Sequence, residues 1–182
     1  VARLDRTVIF LATILALVGL LAISSAAGEL AGDLPMRQLR AVGVGLLIGL
    51  PALLIPYPKL LKLAPIAYAA LLLALVMVLV VGPTKNGAQR WLVLGGFQLQ
   101  PSEPLKLVAI LLLARIIRFG RPLERMRDWL PLLLLVLVPV ALVVKQPDLG
   151  TALIYVPVGI SMLFAAGIPA RTLFALGLIG VA

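Results

Sequence analysis

An all-α, polytopic transmembrane bundle is the fold class that this sequence predicts. Hydrophobic residues make up 63% of its 182 residues and charged residues only 13%, where a soluble domain holds roughly 45–50% and 25%. Mean hydropathy is +1.18. The apolar residues also fall into runs that approach or reach the roughly 17–25 residues a spanning helix needs. Residues 1–182 are therefore expected to form a single transmembrane domain, with no soluble domain of useful size left over.

The first run, Val8–Ala27, is too long for a signal-peptide core and lacks a small-residue cleavage pattern followed by a mature domain. The second, Leu39–Ile55, carries Gly45-Leu46-Leu47-Ile48-Gly49, a small-xxx-small pattern expected to pack against a neighbouring helix. Ala64–Gly82, Pro104–Ile117, Trp129–Val144 and Thr151–Ile168 follow. A seventh run opens at Thr172 and still continues at Ala182, so the chain looks like the front part of a longer protein. Pro51, Pro139 and Pro157 fall inside spans, where each removes a backbone donor and bends its helix. Trp91 and Trp129, near span ends, are expected to be interface anchors.

Orientation follows from the basic residues. Arg3, Arg6, Lys59, Lys62, Arg115, Arg118, Arg121, Arg125, Arg127 and Arg171 fall on one side. Arg37, Arg40, Lys85, Arg90 and Lys145 fall on the other, and Lys106 is inside a span. The richer side is assigned to the cytoplasm, which puts the N-terminus inside. The net charge of +9 is then a topology signal directed at membrane lipids, and it does not call for nucleic acid. The chain has no Cys and no His. That excludes a disulfide framework, a thiol nucleophile, a thiolate metal site and an imidazole base.

Polar chemistry concentrates in the loops assigned to the outer face. One segment reads Lys85-Asn86-Gly87-Ala88-Gln89-Arg90-Trp91, then Gln100-Pro101-Ser102-Glu103-Pro104-Leu105-Lys106. A shorter echo is Gln146-Pro147-Asp148-Leu149-Gly150. Glu103 and Lys106 are three apart at a helix start, so they share a face and can pair. Ser102 is expected as N-cap, with Pro104 tolerated in the first turn. Asp148 is expected to cap the next helix. Two helix N-termini, together with Arg90 and Lys85, would suit an anion such as a diphosphate. Glycines 87, 95 and 96 read as turn formers in a compact loop. A second reading remains open: Glu103, Lys106 and Asp148 could be an ionic cluster that only holds helices together.

These three motifs, in this order and spacing, resemble the SEDS family of shape, elongation, division and sporulation proteins. The similarity runs along all 182 residues, and the short loops are more like the elongation branch. The resemblance implies a ten-span protein, of which about seven spans are visible here. It also implies a peptidoglycan glycosyltransferase that polymerises lipid II at the outer face of the bacterial cytoplasmic (inner) membrane, beside a class B penicillin-binding protein. Glu103 and Lys106 match a functional pair of the family, and Asp148 matches a further acidic position. Lys106, held by Glu103 and Asp148, is expected to support chemistry, with Lys85, Arg90, Gln100 and Gln146 contacting substrate. The family's catalytic aspartate is expected beyond residue 182, so the general base is not in this chain. No resident cofactor or metal is expected, though a divalent cation can accompany the lipid diphosphate. A lipid II flippase and a non-catalytic scaffold are the competing readings.

Overall fold

The structure is a computed structural model that describes residues 6–27, 34–84, 87–94, 97–120 and 125–173. Six long helices and one short hairpin make up the described elements. They run α1 (Arg6–Ala27), α2 (Leu34–Leu54), α3 (Tyr57–Val81), β1 (Leu92–Leu94), β2 (Phe97–Leu99), α4 (Ser102–Phe119), α5 (Met126–Lys145) and α6 (Leu149–Ala165). Residues 170–173 open a further helix. α1, α2, α3 and α5 are long and apolar enough to cross a membrane, and the chain is a multi-pass membrane protein.

The helices begin earlier than hydropathy alone suggests. α2 takes in Arg37 and Arg40, and α3 takes in Lys59 and Lys62. Long basic side chains can lay their stems along an apolar helix and keep the charge at its end, so a helix outruns its apolar core. α6 instead stops short of the expected Ile168. Gly167 adopts φ +95°, a left-handed geometry that glycine enters without a Cβ clash. Its N–H meets the Phe164 carbonyl at 3.0 Å and the Ile168 N–H meets Leu163 at 3.2 Å. That pair of bonds closes the helix, and the Leu163 and Ile168 side chains are buried in one cluster.

The chain divides into two compact units, Val1–Tyr57 and Pro58–Ala182. In the first, α1 and α2 bury none of their apolar windows. In α1, Thr13 Oγ1 donates to the Ile9 carbonyl at 2.8 Å and Ser24 Oγ to the Leu21 carbonyl at 2.9 Å. Such back-bonding suits a helix with no water to turn to. Among the described residues of this unit, a Cβ added at Gly45 or Gly49 meets nothing within 4 Å, so no packing partner for the glycine stripe is found there.

The second unit has a packed interior. Tyr68 and Leu75 of α3, Leu105 and Leu112 of α4, Val143 of α5 and Tyr155 of α6 form one core. Leu113, Trp129, Leu132, Val136, Leu163 and Leu173 belong to the other. Trp129 is thus a core residue, 9% exposed. The expectation of an interface anchor took its position near the helix end as decisive, whereas the indole turns inward. α5 and α6 approach closely because position 159 is glycine; a Cβ there would lie 2.5 Å from Val136 Cγ1.

Proline also shapes this unit through the carbonyls it releases. Pro65 gives no N–H to Leu61, and the Arg115 guanidinium donates to that carbonyl at 2.8 Å. Pro139 gives none to Leu135, and the Tyr68 hydroxyl donates there at 2.9 Å. Each bond ties α3 to another helix at a place where an unmet carbonyl in an apolar setting would be costly.

Candidate functional site

The loop after α3 is an antiparallel hairpin, with Leu92 opposite Leu99, Val93 opposite Gln98 and Leu94 opposite Phe97. A hairpin this short has little stability of its own. It is held by side chains at its flanks. Gln89 Nε2 donates to the Gly82 carbonyl at 3.2 Å, just past the end of α3. Arg90, before β1, reaches Asp148 Oδ1 at 3.3 Å. Gln100, after β2, donates to Asp148 Oδ2 at 2.8 Å. The two sequence motifs expected to converge do so, around one carboxylate.

Asp148 also caps α6. Its Oδ1 accepts the Thr151 N–H at 3.3 Å and its Oδ2 accepts the Thr151 hydroxyl at 2.9 Å. The chain stops at the end of α5, turns through Gln146 and Pro147, and presents Asp148 with the geometry an N-cap needs. Gln146 is 1% exposed, and its amide donates to the Leu75 carbonyl at 3.0 Å. Its side-chain donor thus faces α3 inside the protein.

The start of α4 differs from expectation in one respect. Pro101, and not Ser102, occupies the N-cap position, and it makes no side-chain cap bond. Ser102 lies one residue inside, fully buried, and among the described residues its hydroxyl has no partner. Its carbonyl accepts the Tyr155 hydroxyl at 2.8 Å, which links α4 to α6. Glu103 and Lys106 form the expected i,i+3 pair, Nζ to Oε1 at 2.7 Å. Lys106 is the more sheltered partner, its side chain 17% exposed against 55% for Glu103.

The expected three-membered cluster of Glu103, Lys106 and Asp148 does not form. Among the described residues Lys106 pairs with Glu103 alone, and Asp148 pairs with Arg90. The hairpin brings Arg90 and Gln100 onto the α5–α6 corner, where they occupy the carboxylate together with Thr151. The two helix N-termini are also already served by acids. Asp148 caps α6 and Glu103 sits in the first turn of α4, each placed to complement the helix dipole. Of the candidate site residues described, Arg90 and Lys106 are the cations that could meet an outside anion. Arg90 has its side chain 33% exposed and spends one nitrogen on Asp148, and Lys106 is held by Glu103.

Lys85 lies outside the described residues. No group of three or more His, Cys, Asp or Glu that could hold a metal occurs among the described residues. A small cleft opens between α4, α5 and α6, and its walls include Lys106, Ala109, Ile110, Val136, Ile154 and Tyr155. The hairpin itself was missed from sequence, although Gly95-Gly96 between Leu92-Val93-Leu94 and Phe97-Gln98-Leu99 is a turn signal that marks such a motif.

The family described as cell cycle protein, covering FtsW, RodA and SpoVE, matches residues 2–182. Peptidoglycan glycosyltransferase MrdB of Helicobacter pylori is 38% identical over 148 residues, 79% of this chain and 39% of that protein. Escherichia coli MrdB is 34% identical over 180 residues, 99% of this chain and 47% of that protein. The chain thus spans less than half the length of these curated relatives. A crystal structure of the Thermus thermophilus rod shape determining protein RodA superposes with a TM-score of 0.84 at 38% identity, covering 98% of this chain and 60% of that one. A chain of a peptidoglycan synthase complex that coordinates polymerization and crosslinking superposes at 0.85, with 100% and 53% covered.

Proposed function

Since the chain belongs to the cell cycle protein family of FtsW, RodA and SpoVE, we propose that it is the N-terminal portion of a peptidoglycan glycosyltransferase that polymerises lipid II during cell elongation. The observation that carries this reading is the pairing of two cations with two carboxylates at one end of the bundle, Arg90 with Asp148 and Lys106 with Glu103. It occurs in a chain 38% identical to a protein named for that activity.

Glycosyl transfer from a lipid diphosphate releases an anionic leaving group, and preorganised cations stabilise such charge as it develops. Arg90 presents a planar fork suited to phosphate oxygens, and Lys106 a compact ammonium held at one height by Glu103. The diphosphate could bring its own divalent cation; the protein residues described supply no cage for one. The base that takes the acceptor proton is assigned to an aspartate beyond residue 182. The substrate is lipid II, and the partner is a class B penicillin-binding protein that cross-links the strands. The excess of Lys and Arg in one set of loops supports a cytoplasmic N-terminus in the bacterial cytoplasmic membrane, with the hairpin outside.

The test is polymerisation of purified lipid II by the whole protein in detergent, with wild type beside Lys106→Met and Arg90→Ala. At normal yield of folded protein, strand synthesis is expected to be lost in Lys106→Met and reduced but still measurable in Arg90→Ala. Normal strand synthesis by both would remove the two cations from the mechanism. Lipid II movement across vesicles with no strand synthesis by the wild type would favour a flippase.

A further inference from the structure

Asp148 is an acidic residue with little capacity left for chemistry. Its side chain is 6% exposed. Oδ1 is ion-paired with Arg90 at 3.3 Å and accepts the Thr151 N–H at 3.3 Å. Oδ2 accepts from Gln100 at 2.8 Å and from the Thr151 hydroxyl at 2.9 Å. An ionised carboxylate has about four acceptor positions; here three accept hydrogen bonds and the Arg90 guanidinium stands against the carboxylate as well. It cannot accept a proton from a substrate hydroxyl, or ligate a cation, without dismantling this arrangement. The expectation that it steadies Lys106 named the wrong partner, and a direct catalytic role does not fit its environment.

The donors indicate what it does instead. Arg90 and Gln100 flank the hairpin on its two sides, and Thr151 belongs to the first turn of α6. One carboxylate thus closes the base of the hairpin and fastens it to the α5–α6 corner. Three antiparallel pairs could not hold this hairpin in place unaided. We infer that Asp148 is a positioning residue: it docks the hairpin and fixes Arg90 with the rest of its guanidinium free for an anionic phosphate group. The presentation of Arg90 to a phosphate rests on the glycosyltransferase reading above; the docking of the hairpin does not.

Two measurements separate these parts. The chain has no Cys, so Ala88→Cys places one thiol in it, at a residue 3% exposed and two positions before Arg90. Ala64→Cys, at a residue 2% exposed within α3, reports opening of the helical core in a separate variant. In the whole protein in membranes, with any cysteine outside these residues replaced, Asp148→Asn is expected to raise maleimide labelling of the thiol at position 88 by about tenfold, as a locally released segment does, while the thiol at position 64 stays protected. Unchanged labelling at position 88 would overturn the inference. So would an equal rise at both thiols, because Asp148 would then support only the fold as a whole.

The second measurement is lipid II polymerisation. Asp148→Asn is expected to raise KM for lipid II more than it lowers kcat, and to add nothing in an Arg90→Ala background. A further fall of kcat in that background would mean that Asp148 acts on the reaction directly, and the positioning role would be wrong. If the wild-type protein makes no glycan, the glycosyltransferase reading fails alone and the labelling result still decides the docking.

Discussion

The Tyr68 hydroxyl donates at 2.9 Å to the carbonyl of Leu135, an acceptor that Pro139 deprives of its helical partner. The proline inside α5 and a cross-link to α3 are therefore one feature. Interhelical hydrogen bonds in membranes contribute about 0.6 kcal/mol on average and at most about 1.7. Tyr68→Phe is expected to destabilise the protein by an amount in that range, measured by unfolding in detergent. Pro139→Ala returns an N–H to Leu135, so Tyr68→Phe in that background is expected to lose less. Equal losses in both backgrounds would show that the proline and the tyrosine act independently.

Gly159 sits where α5 and α6 touch, with Val136 Cγ1 2.5 Å from the place a Cβ would take. Gly159→Ala is expected to destabilise the protein by about 1–3 kcal/mol through overpacking. Val136→Ala clears that space and should recover part of the loss in the double variant. Thermal unfolding of the four proteins measures it, and an additive double variant would mean the clash is relieved elsewhere.

Ser102 is fully buried, and among the described residues its hydroxyl meets no partner. An unmet buried hydroxyl costs about 1–3 kcal/mol. Ser102→Ala removes it while leaving the carbonyl that Tyr155 uses. The substitution is expected to be neutral or stabilising in the same unfolding measurement, in contrast with the losses usual for buried sites. A drop in stability would mean that the hydroxyl has a partner in the membrane, such as a trapped water.

Glu103 and Lys106 test the other half of the site. With Glu103 more than half exposed, the pair adds only about 0–1 kcal/mol to stability. Glu103→Gln should therefore leave unfolding almost unchanged. If the carboxylate orients Lys106 toward developing charge, lipid II polymerisation by the whole protein should fall, by up to the roughly 100–1000-fold seen when a charge-stabilising group is lost. Full activity in Glu103→Gln would show that Lys106 needs no orienting partner.

Much of this arrangement could be derived from residue type and spacing. Six apolar runs became six helices, because hydropathy reports the cost of exposing backbone and side chains to lipid. The i,i+3 spacing of Glu103 and Lys106 produced their pair, and Asp148 caps the helix it precedes. Less was legible where a long-range partner decides. Nothing local to Asp148 says that Arg90 and Gln100 will reach it, since Gln100 lies 48 residues upstream of the carboxylate and arrives with the hairpin. Trp129 turned inward for a similar reason: the neighbours that bury it, such as Leu163 and Leu173, come from later in the chain. Ser102 lost the N-cap position by one residue, a shift that depends on the conformation of Pro101.

The anchoring of the hairpin by Asp148 also constrains how the protein is made. Gln100 leaves the ribosome 48 residues before the carboxylate that holds it. At about 5–20 residues per second, that interval lasts roughly 2–10 s. Throughout it, Arg90 and Gln100 stand without their acceptor, until α5 has been inserted and the turn behind it has emerged. A chain arrested before Asp148 would display an unfastened loop, and recognition of that loop by a membrane quality-control protease would distinguish stalled products from complete ones.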